Sequence, residues 1–291
     1  MDSWALCEGD TIAPGRHVLR HLGGGRRHEV YLAWDDRLRA TVVTKLLRPD
    51  LVEDRRALAA LAAEAALLDR LAHPGLLRGF GARLDGPCPH LVLEHIEGPR
   101  LSTVVRRDVI ALEQLLPLAL CVAGVLHYLR AEEVVHLDVK PSNVILGGPP
   151  RLIDLSVARP LDAPVPREPV GTDAYMAPEQ CDPARFGSIG SPADVWGLGA
   201  TLHEAIGGEP PFAADGRRFP QLRATPRPLP RRTPPALAAL VACCLDPDPA
   251  ARPLPGELAD RIEGLVAGLP EPRLSRFRPG GAARLRGLEH A

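Results

Sequence analysis

Apolar and polar residues alternate through the first fifty positions. His17-Val18-Leu19-Arg20, Glu29-Val30-Tyr31-Leu32-Ala33-Trp34 and Ala40-Thr41-Val42-Val43-Thr44-Lys45 each read as a strand. Gly23-Gly24-Gly25 separates the first two, and Asp35-Asp36 marks the next turn. The period then changes. Leu58, Leu61, Ala65, Leu68 and Ala72 recur at steps of three and four, which predicts a helix over 53–72. Glu64 lies three after Leu61 and four before Leu68, on the apolar stripe itself, and an inward carboxylate is costly without a cation. His90-Leu91-Val92-Leu93-Glu94 reads as a further strand and Glu97-Gly98-Pro99 as a break. Beyond it helices are expected at about 112–131, 193–206 and 234–245. A loop-rich stretch over 136–190 holds most of the polar motifs, and a Pro-rich connector runs over 225–235. No internal repeat is visible.

This pattern predicts an α+β chain of 291 residues in two lobes, a small β-rich one over 1–95 and a larger, mostly helical one over 96–270, with a hinge near 95–99. Residues 271–291 carry five arginines against two glutamates plus Gly280-Gly281, and read as an Arg-rich mobile tail. A formal net charge of −1 gives no global steering toward nucleic acid or an anionic membrane, and 4% aromatic content argues against a base-stacking platform. The six cysteines include no CxxC pair, which fits free thiols in a reducing cytoplasm. The N-terminus has no basic segment followed by an apolar run, and no window reaches ~18 continuous apolar residues, so neither a signal peptide nor a membrane span is expected. The bias toward Ala, Arg and Pro fits a GC-rich bacterial genome. Oligomeric state is not legible.

Two lysines stand among 35 basic residues, Lys45 and Lys140. A sequence that writes arginine for solubility and keeps lysine twice points to places where a compact ammonium is needed. Lys140 falls in His136-Leu137-Asp138-Val139-Lys140-Pro141-Ser142-Asn143, where a carboxylate, a cation and an amide oxygen sit within six residues of one loop. Those are the groups that phosphoryl transfer requires near the attacking hydroxyl, the transferring phosphoryl and a metal.

Together with its neighbours this loop resembles the signature set of eukaryotic-like (Hanks-type) bacterial serine/threonine protein kinases, in order over roughly residues 10–265. The resemblance implies a bilobal protein-kinase fold with a nucleotide-binding N-lobe, and ATP and Mg²⁺ as cofactors. It also implies protein substrates with Ser or Thr acceptors, and neither nucleic acid nor a membrane span as partner. It assigns Asp138 as the base that orients the hydroxyl and Lys140 as the cation on the transferring group. Val42-Val43-Thr44-Lys45 is similar to the third-strand motif, so Lys45 would hold phosphates and pair with Glu64. Leu22-Gly23-Gly24-Gly25-Arg26-Arg27-His28-Glu29-Val30 resembles the glycine-rich loop, with Gly23 and Gly25 matched and His28 in the third glycine's place. Arg151-Leu152-Ile153-Asp154-Leu155-Ser156 resembles the magnesium-binding element, giving Asn143 and Asp154 as metal ligands. Adenine would lie under Val30 and beside the hinge backbone of Glu94 and Ile96, with Leu93 gating the rear. Gly171 to Glu179 resembles the substrate-positioning segment, with Thr172 against the catalytic loop. Glu179 would pair with Arg252, and Asp194 would brace the loop.

Three departures matter. Leu137 occupies the place of the family arginine that meets an activation-segment phosphate, and residues 157–171 contain no Ser, Thr or Tyr. Ser156 replaces a glycine. His28, if it lies over the phosphates, would make nucleotide affinity weaken as pH rises through its titration. The expected activity is a serine/threonine kinase not switched by activation-loop phosphorylation. The alternatives are a pseudokinase or nucleotide-binding scaffold with little turnover, and a small-molecule phosphotransferase of related fold.

Overall fold

Short runs of β-branched and aromatic residues pair into one antiparallel sheet of six strands. The computed structural model describes residues 2–108, 110–164, 168–213 and 216–269; the expected tail over 271–291 lies outside the described residues. The strands are β1 (Thr11–Ala13), β2 (Arg16–Gly24), β3 (His28–Asp35) and β4 (Ala40–Leu47), followed after a helix, α1 (Arg55–Arg70), by β5 (Gly79–Arg83) and β6 (His90–Glu94). Their order is β1-β2-β3-β4-β6-β5. Alternation along β4 sorts its side chains: Val42 and Leu46 join Val18, Tyr31 and Val92 on one face, while Leu47 packs with Leu91, Leu93 and α1 on the other. Lys45 shares that second face.

The helix α1 is two residues shorter at each end than its apolar stripe predicts. Asp54 caps it by accepting from the Arg56 and Ala57 amides, and Leu71 is already extended. Ala72 therefore lies beyond the helix and is exposed, whereas Leu61, Ala65 and Leu68 are buried.

Past Glu94 the chain becomes helical. It forms α2 (Leu101–Val105) and α3 (Leu112–Ala131), then the short strands β7 (Val134–Val135), β8 (Val144–Ile145), β9 (Arg151–Leu152) and β10 (Arg159–Pro160). Next come α4 (Pro178–Cys181), α5 (Pro183–Phe186), α6 (Ser191–Gly207), α7 (Pro235–Cys244) and α8 (Pro255–Ala267). The architecture has two lobes, one built on the six-stranded sheet and one mostly helical, as the sequence resemblance implies. By length and composition α3 could cross a membrane, but here it is the central helix of the second lobe, packed against α6 and α8 with Leu115, Leu118, Val122, Leu126 and Leu129 buried. The sequence pattern gave no expectation of α8. Its opening Pro255-Gly256 hides a start signal in which Glu257 reaches back to the Leu254 amide at 2.9 Å.

A buried ion pair ties α4 to the segment just before α8. Arg252 meets Glu179 through Nη1–Oε1 at 2.7 Å and Nη2–Oε2 at 2.9 Å, with both side chains inaccessible to solvent. The guanidinium also donates to the Asp246 and Pro192 carbonyls and lies over the Trp196 ring. Every donor spent this way compensates desolvation, so removing one partner strands the other. Arg252→Ala is expected to lower stability by about 3–5 kcal/mol. Urea unfolding checks this, and a loss below about 1 kcal/mol would contradict the argument.

Candidate active site

The floor of the site follows from one hairpin. Because β8 and β9 pair antiparallel, with Val144 opposite Leu152, the residue before β8 and those after β9 emerge at the same end. That brings Asn143 beside Asp154, with the Ile153 amide donating to the Asn143 carbonyl at 2.8 Å. The loop entering β8 is fixed from below. Asp194 on α6 accepts from the His136 amide at 2.8 Å and the Leu137 amide at 2.7 Å. Those bonds hold Leu137 at φ 64, a conformation that disfavours a side chain, and so set the direction in which Asp138 leaves the loop.

Asp138 is the hub. Its Oδ1 accepts from the Thr172 hydroxyl at 2.7 Å, and its Oδ2 accepts from Lys140 Nζ at 2.7 Å and from Asn143 Nδ2 at 3.0 Å. Lys140 Nζ also donates to Thr172 Oγ1 at 2.6 Å. Asn143 Nδ2 bonds the Asp138 carbonyl too, which turns its Oδ1 away from the hub.

A second ionic group joins the lobes. Lys45 Nζ donates to Glu64 Oε1 and Oε2 at 2.8 and 2.9 Å and to Asp154 Oδ1 at 2.8 Å. Burial alone would lower the Lys45 pKa, but Glu64 and Asp154 raise it, so the ammonium stays charged. Burial alone would raise the Asp154 carboxyl, yet Lys45 holds it well below the usual carboxylate range. Asp154 Oδ1 also takes the Ser156 amide at 3.3 Å. The Ser156 side chain also bonds the Asp154 carboxylate. An amide oxygen and a carboxylate facing one cleft suit a hard cation that keeps water and phosphate as its remaining ligands.

The roof is the β2–β3 hairpin, in which the Gly25 amide closes on the His28 carbonyl at 2.9 Å. Close backbone approach falls at Gly24, where an added Cβ would stand 2.5 Å from the His28 carbonyl oxygen; at Gly25 it would meet nothing. Of the two matched glycines, Gly23 takes φ +118 and Gly25 leaves open space over the cleft. Beneath the roof lies a cavity of about 510 Å³ lined by Val30, Leu93, Glu94 and Ile96. It adjoins a wider one of about 900 Å³ that reaches Gly23, Gly25, Asp138, Lys140 and Thr172. Gly23, Gly25, Val30, Lys45, Glu64, Glu94, Ile96, Asp138, Lys140, Asn143, Asp154 and Thr172 therefore border these two adjoining cavities, whereas Glu179, Arg252 and Asp194 lie outside them. The Glu94 amide is already bonded to the Arg78 carbonyl, so that residue offers the cleft its carbonyl only. Arg100, which the motif reading passed over, stands on the cleft lip and donates to the Ser142 carbonyl at 3.0 Å.

His28 corrects an expectation. Its ring sits in the cleft with Nε2 buried and unbonded. Burial first, then the Lys45 charge, pushes its pKa down to about 4. In the free protein the imidazole is therefore neutral over pH 6–8, and its titration falls below the range expected from the sequence.

Similarity to known proteins agrees with this geometry. A family model described as protein kinase domain matches residues 16–261. Serine/threonine-protein kinase PknA of Mycobacterium tuberculosis is 32% identical over 291 aligned positions, covering 94% of this chain and 67% of the relative. Serine/threonine-protein kinase PknB of Mycolicibacterium smegmatis is 31% identical over 246 positions, covering 78% of this chain and 39% of the relative.

Because the folded pKa of His28 lies below its unfolded value of 6.5, the stability tied to its neutral form is present above pH 6.5 and is lost as pH falls toward 4. Thermal midpoints should therefore fall more steeply from pH 7 to 5 in the wild type than in His28→Gln. Parallel curves would contradict the assignment.

Proposed function

Because this chain belongs to the protein kinase family, and is by that membership a serine/threonine protein kinase, we propose that it transfers the γ-phosphoryl group of Mg-ATP to Ser and Thr hydroxyls of proteins in the cytoplasm. The observation that carries the reading is the hydrogen-bonded set of Asp138, Lys140 and Thr172 at the open end of a cleft whose far wall holds Lys45, Glu64 and Asp154. Residues 1–95 form the nucleotide side of that cleft and residues 96–270 the catalytic and substrate side.

Each residue has one task. Asp138 accepts a hydrogen bond from the incoming hydroxyl, orients it and takes its proton as the new O–P bond forms and the bond to the leaving ADP oxygen breaks. Lys140 lies within hydrogen-bond reach of both Asp138 and Thr172, where negative charge spreads over the transferring group. Thr172 holds the substrate-binding segment against that pair. Lys45 supplies positive charge to the nucleotide phosphates, and Glu64 keeps its ammonium aimed inward. Asn143 and Asp154 would hold Mg²⁺ through their side-chain oxygens, and that ion would neutralise phosphate charge when bound. Val30, Leu93 and Ile96 give the apolar walls an adenine ring requires, with the Glu94 carbonyl as acceptor at the hinge.

Activation does not pass through a phosphate on the activation segment. Leu137, in the position of the family arginine, is 3% exposed and packs in the apolar core. Residues 157–171 have no hydroxyl to modify, and the Thr172 hydroxyl is already engaged by Asp138 and Lys140.

Incubation of wild type and Asp138→Asn with Mg-ATP and a generic basic protein tests the activity. Phosphate incorporation is expected from the wild type alone, and equal near-zero signals beside clear nucleotide binding would favour a scaffold instead. Lys140→Ala should lower turnover roughly 10²–10³-fold while leaving nucleotide affinity in place.

A further inference from the structure

Three segments of the second lobe meet at one buried side-chain amide. Gln180, on α4 and 3% exposed, accepts from the Ala177 amide at 3.0 Å through Oε1. Through Nε2 it donates to the Leu137 carbonyl at 2.9 Å and the Val170 carbonyl at 3.0 Å. One main-chain donor at one end and two carbonyl acceptors at the other admit a single orientation of the amide. The contact is tight. Gly171 takes φ +126, and a Cβ on it would stand 2.6 Å from the Leu137 oxygen and 3.3 Å from Gln180 Nε2. The residue before Thr172 is thus pressed onto the backbone of the residue before Asp138. A second glutamine holds the far side of the segment: Gln221 Nε2 donates to the Asp173 carbonyl at 2.7 Å and the Met176 carbonyl at 2.9 Å.

These clamps on the backbone are neutral. Beside Leu137 lies a cavity of about 170 Å³, and the charged side chains that line it are Glu168 and Asp182, both acidic. A phosphate would meet like charge there and find no guanidinium among the described lining residues.

We propose that Gln180 is the positioning residue that fixes the activation segment against the catalytic loop, with a neutral amide taking the task that a phosphate and an arginine would otherwise share. The assignment rests on the reading of this chain as a kinase not switched by activation-segment phosphorylation. It explains how Leu137 is compatible with turnover. The loop carbonyl that Leu137 presents, rather than its side chain, is the anchor, and Asp194 fixes the amide of the same residue. A clamp of this kind is released neither by a phosphatase nor by salt.

Gln180→Glu keeps the shape and the acceptor but turns a carboxylate toward two carbonyl oxygens. In the full chain, peptide kcat/KM is expected to fall roughly 10- to 100-fold, as when a buried carbonyl loses its donor. Nucleotide Kd should be unchanged, and amide exchange should speed up over 168–177 but not over α6. Gly171→Ala, which pries the same contact apart and leaves the Gln180 amide in place, should give the same signature. Should Gln180→Glu fail to fold, Gly171→Ala carries the test. Phosphatase-treated wild type separates the two readings. If treatment abolishes activity, the phosphorylation-independent reading falls. If treated wild type stays active and either folded variant keeps full peptide kcat/KM, or loses only thermal stability, the proposal for Gln180 is overturned.

Discussion

The ammonium of Lys45 is the point on which both lobes close. Its three donors go to three carboxylate oxygens, two on Glu64 and one on Asp154, so a strand, a helix and a loop of the opposite lobe share one charge. The constraint works backward into the fold. Glu64 is 2% exposed, and α1 can bury it only because its apolar stripe turns that face to the sheet. Lys45 reaches it because β4 alternates its side chains toward α1 at that position. The set carries two carboxylates against one ammonium: Lys45 holds the Asp154 carboxyl low, burial pushes the Glu64 carboxyl up, and Asp154 stands beside Asn143. A site with that imbalance favours a bound cation, which fits the proposed use of Mg²⁺.

The second lobe repeats the logic with backbone in place of charge. Asp194 anchors the His136 and Leu137 amides from one side, and Gln180 anchors the Leu137 carbonyl from the other. Both polar ends of a strained residue are therefore occupied, and the cost of its positive φ is met by bonds that also aim Asp138. The leucine side chain is left free to pack. On the proposal made for Gln180, rigidity that could depend on a modification is built into the fold.

Much of this was legible before any coordinates. Glu64 could be read as inward from its place between Leu61 and Leu68. The fold class followed from the change of period near residue 50 and from the ordered motifs. What stayed hidden depends on contacts distant in sequence. The titration of His28 was misjudged because its pKa is set by burial and by Lys45 across the sheet, and neither is written in the neighbouring residues. The helix α8 was missed because Pro255 and Gly256 read as breakers where the proline begins the helix. Gln180 carries no local signature, since its acceptors are carbonyls at 137 and 170 that only the folded chain brings together.

The scarcity of lysine now has a geometric reason. Lys45 spends three diverging donors on two carboxylates, and Lys140 divides its own between Asp138 and the Thr172 hydroxyl. A planar guanidinium cannot point three donors at oxygens spread around one atom. The opposite demand arises at Glu179, where two parallel oxygens face outward from one carboxylate, and there Arg252 supplies a matching fork. Composition that elsewhere runs to arginine yields to lysine where the charge must behave as a point, and both such places border the same cleft.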